Sequence, residues 1–260
     1  MFGLRKPAPV TPSAPPGAKD RHARLEEYWT GGFRDIEGWV NPDLLRSLQL
    51  VDAFQQERGI GGGALEIGLH HGKFFIPLLL LRQPGEAGVG IDVFEDQAKN
   101  VDSSGLGSRA QVEANLRRHV GESHDVQLMQ RDTLSLNTLD RAELLRACGA
   151  FRLISIDGGH TRTHCVNDLL FAQDILQNGG VIILDDFITP HWPGVMEGVA
   201  TLFLQHAPRI APFAWGLNKL FLTDFTHQRA LFERFAQAYG DGSSPGFKPV
   251  RLYNHDTVAF

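Results

Sequence analysis

Ala64-Leu65-Glu66-Ile67-Gly68-Leu69-His70-His71-Gly72-Lys73 is a short apolar run that breaks into a glycine-spaced turn, and the apolar segment Phe74 to Leu81 comes directly after it. Glycine carries no Cβ, so Gly68 and Gly72 permit backbone geometry and a close ligand approach that other residues obstruct. The stretch reads as a buried strand, a tight loop and the start of a helix. Its spacing is Glu-x-Gly-x-x-x-Gly, one glycine fewer than the Gly-x-Gly-x-x-Gly of dinucleotide binders, with an acid on the strand end. An acid at position 66 would repel a diphosphate resting on the helix N-terminus and suits a cationic ligand instead, which turns the reading from a dinucleotide towards a sulfonium or an amine. Taken alone, Gly61 to Gly63 with Gly68 is also what a flexible turn looks like, so the meaning of the loop rests on the strands that come after it in the chain.

Downstream of the loop the chain runs through a series of short apolar segments, each ending in polar residues. Ala87 to Phe94 carries Asp92 at its tip, where an acid in nucleotide-type α/β folds hydrogen-bonds ribose hydroxyls. Val126 to Asp132 ends in Asp132, a receiver for an adenine amino group or an ordinary polar strand end. Phe151 to His160 delivers Asp157, Gly158, Gly159 and His160 together, and Gly179 to Phe187 ends in the pair Asp185-Asp186. Helical spacing is expected at Ser108 to His119, around Leu139 to Ala147 and at roughly His164 to Gln177. This alternation predicts an α/β fold: a three-layer, doubly wound, Rossmann-like sheet, mostly parallel, with helices on both faces. A helix near Val195 to Gln205, a strand at Leu217 to Leu222, a helix at His227 to Ala238 and a strand near Val250 to Tyr253 would finish it with an antiparallel C-terminal edge. Ligands of such sheets bind beyond the carboxyl ends of the strands, so Gly68, Asp92, Asp132, Asp157, His160, Asp185 and Asp186 are expected in one crevice.

The remaining organisation is simpler. Residues 1–20 hold Pro7, Pro9, Pro12, Pro15 and Pro16 among Ala, Ser and Gly and read as a disordered tail. Residues 21–59 form a helical and aromatic cap: Tyr28, Trp29, Phe33 and Trp39 in a loop-like setting either cover the core or wall a pocket, and Asn41-Pro42-Asp43 opens an amphipathic helix closed by Gly59. Residues 60–260 are the ligand-binding domain. A formal net charge of −5, with basic residues grouped no further than Arg117-Arg118, argues against nucleic acid as a partner. The longest apolar run is Phe74 to Leu81, far short of a membrane span, and the N-terminus lacks the apolar core of a signal peptide, so a cytoplasmic protein with no membrane partner is expected. Two cysteines, Cys148 and Cys165, fit a reducing compartment. The aromatic-rich N-terminal segment could pack on a second copy, which makes a homo-oligomer an open expectation.

Leu65-Glu66-Ile67-Gly68-Leu69-His70-His71-Gly72, Gly90-Ile91-Asp92, Ile156-Asp157-Gly158-Gly159-His160 and Gly179 to Phe187 together resemble the class I S-adenosylmethionine-dependent methyltransferases, in the branch of macrocin-type sugar O-methyltransferases and cephalosporin hydroxylase-like proteins. The resemblance spans roughly residues 60–190. It implies that Glu66, Gly68 and Gly72 hold the methionine end of the cofactor, Asp92 the ribose and Asp132 the adenine side. It also implies a magnesium ion on Asp157, Asp185 and Asp186, a set of hard oxygen donors suited to that ion. Asp185-Asp186 alone would equally serve as a helix cap pair. With Asp157 as its catalytic partner, His160 stands where related metal-dependent enzymes carry the base that takes the hydroxyl proton; a metal ligand or a structural histidine are the alternatives, and His164 is a weaker candidate ligand. The chain departs from the commonest sugar methyltransferase pattern, which has an acid where Gly159 or His160 stands. The expected activity is magnesium-assisted O-methylation of a hydroxyl on a small molecule, a sugar or a natural product, with Trp39, His191, Trp192 and Pro193 as pocket walls. An oxygenase, for which no His-x-Asp iron triad is legible, and a non-catalytic cofactor-binding protein are the rival readings.

Overall fold

The computed structural model describes residues 18–122, 125–242, 244 and 246–260. The expected tail therefore lies outside the described residues as far as residue 17, and residues 18–20 open the first helix. Among the described residues nine strands form one sheet: β1 (Gly63–Ile67), β2 (Gly88–Asp92), β3 (Val126–Gln130), β4 (Phe151–Ile156), β5 (Leu176–Leu184), β6 (Ile210–Gly216), β7 (Lys219–Asp224), β8 (Lys248–Leu252) and β9 (His255–Ala259). Their spatial order is β3-β2-β1-β4-β5-β7-β6-β9-β8. The first five run parallel. Strand β7 lies antiparallel between β5 and β6, and β8 pairs antiparallel with β9 at the far edge.

Every residue of β1 and β4 is buried, as central parallel strands covered on both faces require. One face is covered by α1 (Ala18–Thr30), α2 (Leu44–Glu57), α3 (Phe75–Leu80), α4 (Arg109–His119) and α8 (Phe225–Tyr239), which bring Leu25, Leu48, Phe75, Val112 and Phe235 against Ala64, Leu153 and Val181. The other is covered by α5 (Thr138–Cys148), α6 (Arg162–Ile175) and α7 (Pro193–Gln205), which bring Leu144, Leu169 and Val199 against Leu65, Ile67, Ile154 and Ile156. This is the three-layer, Rossmann-like arrangement expected from the strand and helix alternation.

Three local expectations are corrected. Tyr28 and Trp29 belong to the last turn of α1 and are buried with Phe33 in the core, because Trp29 donates its indole N–H to Pro42 O at 2.7 Å and stacks on Phe33. Helix α6 ends at Ile175 and passes straight into β5, where Gly179 (φ +80°) accommodates the irregularity that shifts the β4–β5 pairing from Phe151↔Leu176 to Leu153↔Val181. The strand expected at Leu217 to Leu222 starts at Lys219, because Leu217 and Asn218 both have positive φ and form the two-residue turn of a β6–β7 hairpin. Among the described residues, no helix is long and apolar enough to cross a membrane.

Candidate active site

Register decides which side chains meet. Ile67 is level with Ile91 on one side and Ile156 on the other, and Ile156 is level with Leu184. The next residue of each strand therefore falls in one row: Gly68, Asp92, Asp157 and Asp185. The backbone stitches that row together, with Gly68 N donating to Ile91 O at 2.9 Å, Asp157 N to Ile67 O at 2.8 Å and Asp185 N to Ile156 O at 2.9 Å. Gly68 has φ +77°, and a Cβ on it would lie 1.8 Å from Asp157 O, so this position accepts no side chain.

Beyond the row opens a cavity of about 840 Å³. It is large enough for a nucleoside-sized cofactor together with a small acceptor. Gly68, Asp92, Asp132, Asp157, His160, Asp185 and Asp186 all line it. Asp92 Oδ2 accepts from Leu69 N at 2.6 Å and His70 N at 3.1 Å, and Oδ1 accepts from Phe94 N at 2.6 Å, so one carboxylate ties the end of β2 to the glycine loop. Asp132 accepts from Leu134 N at 3.0 Å at the start of a short helical turn. Trp39 stands at the cavity wall with 75 % of its surface exposed, and His191 and Trp192 are on the wall too. Pro193 instead opens α7.

Two expected cofactor residues are not on the cavity wall. Glu66 alternates with the inward-facing Leu65 and Ile67 and is buried beneath the opposite layer, where burial first, and the Asp157 charge second, raise its carboxyl well above the usual range. Gly72 acts through its backbone, donating to Leu69 O at 2.7 Å with φ +82° to close the turn before α3.

The acids expected to hold a metal separate into two groups. Asp157, His160 and Asp186 each offer a ligand atom, and these atoms lie within 4.8 Å of one another. His160 Nε2 is 3.1 Å from Asp186 Oδ2 and 3.6 Å from Asp157 Oδ1. Its Nδ1 is 2.7 Å from Asp102 Oδ2, which also accepts from His160 N at 2.8 Å, and its ring stacks on Trp192 at 4.3 Å. Burial opposes charge on this imidazole, but Asp157, Asp186 and Asp102 outweigh it and push its pKa up to about 10. Both ring nitrogens of His160 thus face carboxylates, Nδ1 towards Asp102 and Nε2 towards Asp186 and Asp157. Asp185, by contrast, is buried in an ion pair with Lys219, which comes from the first position of β7. This pairing, rather than the three-ligand group, takes up the carboxylate expected at the metal. His164 also stays out of that group; its Nδ1 is 2.8 Å from Thr161 Oγ1.

The β6–β7 hairpin and the segment between β2 and α4 supply residues that the sequence did not single out. Asn218, in the hairpin turn, donates from Nδ2 to Asp186 Oδ1 at 2.6 Å, while Lys219 neutralises Asp185. Asp102 reaches His160 from the β2–α4 segment. An asparagine between two apolar runs is a recognisable hairpin signal, but no local pattern says that its amide meets a carboxylate elsewhere in the chain. A second group, Glu37, His70 and His71, also brings ligand atoms within 4.8 Å. Its imidazoles are stacked at 3.9 Å and 21°, which sets their in-plane lone pairs side by side rather than on a common point.

Strand order, a reversed β7 and a ligand cavity beyond the carboxyl ends of the parallel strands define a nucleotide-cofactor fold of the methyltransferase type. Residues 65–187 match the family model described as a methyltransferase domain. That match covers a little under half of the chain and marks the segment as similar to methyltransferase domains. Among solved structures similar to it, the O-methyltransferase NovP superposes with a TM-score of 0.54 at 14% identity, over 69% of this chain and 80% of that one. An O-methyltransferase from Bacillus cereus, in complex with SAH, gives 0.50 at 15% identity over 82% and 92%. At these identities the likeness is one of fold. No curated protein matches the chain.

Proposed function

We propose that this enzyme methylates a hydroxyl oxygen of a small molecule, a sugar or a natural-product scaffold, with a divalent cation of the magnesium type held by Asp157, His160 and Asp186. The observation that carries the reading is that these three side chains converge on the same cavity that the Gly68 loop and Asp92 line from the other side. Two carboxylate oxygens and one imidazole nitrogen fit a divalent cation and leave positions for an acceptor hydroxyl and water. Bound there, such an ion would lower the pKa of that hydroxyl and fix its direction.

The chain's own residues do the rest. Gly68 lets the backbone approach the methionyl end of the cofactor, and Asp92 and Asp132 offer carboxylate oxygens along the nucleoside side. His160 serves through Nε2 as a ligand in place of Asp185, and Asp157 receives the hydroxyl proton. Held there, S-adenosylmethionine would supply the methyl group for the acceptor oxygen and would depart as the thioether. Orientation of the two reactants supplies much of the rate in such a displacement. The charge balance, the two unpaired cysteines and the absence of basic clusters favour a cytoplasmic enzyme acting on small molecules rather than on nucleic acid.

The test is calorimetric titration with S-adenosylmethionine, then methyl transfer to a panel of sugars and phenols with and without magnesium. Asp157→Ala and Asp186→Ala should each lower turnover roughly 10²–10⁴-fold while S-adenosylmethionine still binds. Turnover that is indifferent to chelation and to both substitutions would remove the metal from the reading.

A further inference from the structure

We propose that Asp102 is a positioning residue: it fixes His160 with Nε2 turned towards Asp157 and Asp186, and by the same contact latches the β2–α4 segment across the cavity. The inference rests on the metal-assisted reading above, which does not itself involve Asp102.

The geometry is specific. Asp102 Oδ1 is occupied by its own turn, accepting from Ser104 N at 3.0 Å and Ser104 Oγ at 2.6 Å. Oδ2 is left to reach across the cavity, where it accepts from the His160 backbone N–H at 2.8 Å and lies 2.7 Å from Nδ1. The two oxygens thus divide the work, one holding the segment's shape and the other holding His160. Asn100 braces the same turn from behind, donating from Nδ2 to Ser104 O at 3.1 Å and Gly105 O at 3.0 Å. Asp102 and the His160 side chain are each only 10 % exposed, so the contact is shielded from water.

An imidazole held through Nδ1–H by a carboxylate presents Nε2 as its lone-pair nitrogen, and such an outer partner both fixes the ring and raises its basicity as a ligand. The stacked Trp192 restricts the remaining rotation. Because Lys99, Val101, Ser103 and Gly107 of the same segment line the cavity, the bond that orients the histidine also closes the wall over the bound ligands. Assembly of the ligand group and closure of the wall become one event.

The test uses the full chain and the variants Asp102→Asn, which keeps the turn but loses the charge, and Asp102→Glu. Mn2+ is titrated by electron paramagnetic resonance, S-adenosylmethionine by calorimetry, and amide exchange is monitored over residues 93–107 and at His160. Asp102→Asn should weaken Mn2+ binding roughly 10–100-fold and speed exchange at the segment and at the His160 amide, with S-adenosylmethionine affinity unchanged and partial recovery in Asp102→Glu. A folded Asp102→Asn protein that binds Mn2+ as tightly as wild type overturns the positioning role. If wild type itself binds no Mn2+, the metal reading fails on its own account; the latch is then judged on exchange, and unaltered protection in Asp102→Asn overturns it.

Discussion

Lys219 and Asp185 form an ion pair buried to within a few per cent of their surface, at the point where the β6–β7 hairpin meets the end of β5. Burial works against the lysine's charge, yet Asp185 and Asp157 outweigh it and hold the ammonium form. Removing one partner of such a pair leaves a charge without compensation in a dry site, at a cost of roughly 3–5 kcal/mol. Lys219→Met should therefore destabilise the fold by about that amount in urea unfolding, and the double change Lys219→Met with Asp185→Asn should recover most of it. Asp185→Asn alone should still bind Mn2+, because Asp185 stands outside the three-ligand group; loss of Mn2+ in that variant would restore Asp185 to the metal.

Asn218 does two separable things. Its φ of +67° serves the hairpin turn, and its amide donates to Asp186 Oδ1 at 2.6 Å. Asn218→Gly keeps the positive φ without penalty and removes only the hydrogen bond. That variant should keep near-wild-type stability while Mn2+ affinity falls roughly tenfold, as loss of an outer partner to a ligating carboxylate does. Asn218→Ala should show the same loss of affinity and be less stable than Asn218→Gly, because alanine lacks the short polar side chain that lets asparagine adopt the left-handed region.

Gly68 and Gly72 share a positive φ but not a cost. A Cβ at Gly72 meets nothing nearer than Val112 at 3.7 Å, so Gly72→Ala carries only the conformational penalty of about 1–2 kcal/mol. At Gly68 the added atom would overlap the Asp157 carbonyl at 1.8 Å and drive β1 and β4 apart at the cavity floor. Gly68→Ala should be clearly less stable than Gly72→Ala in thermal unfolding, and should lose S-adenosylmethionine binding that Gly72→Ala retains.

The row of strand ends is legible in the sequence because each apolar run stops at the same kind of polar break, and parallel register then sets Gly68, Asp92, Asp157 and Asp185 side by side. The position of Glu66, off the cavity wall, is not legible in the same way. In a strand buried on both faces, every residue is inside, and period-two alternation does not tell the wall of a cavity from the underside of a helix layer. Asp185 and Asp186 are neighbours of the same type, yet the chain turns at Asp186 (φ +56°), leaving Asp185 to Lys219 and carrying Asp186 to His160. Asp102, Asn218 and Lys219 act on groups 32 to 58 residues away, and spacing within a window carries no trace of such pairings.

Asp168, in α6, offers a pH test apart from the ligand group. It is 1 % exposed, its Oδ2 has no hydrogen-bond partner among the described residues, and it lies beneath Gly158. Burial, with a smaller push from the Asp132 charge, carries its carboxyl up to about 7 against the pull of hydrogen bonds from Thr133 and Asn167. An unfolded aspartate titrates near 3.9, so the folded state holds this proton more tightly. Its contribution is fully present below about pH 4, falls as pH rises towards 7, and is constant above, a change of about 4 kcal/mol at most. Asp168→Asn cannot ionise, so the stability difference between variant and wild type should move in favour of the variant between pH 4 and 7 and then level off. Urea unfolding of both proteins across that range measures it. A difference that stays flat with pH would mean that Asp168 is ionised in the folded protein, held by hydrogen bonds that outweigh its burial.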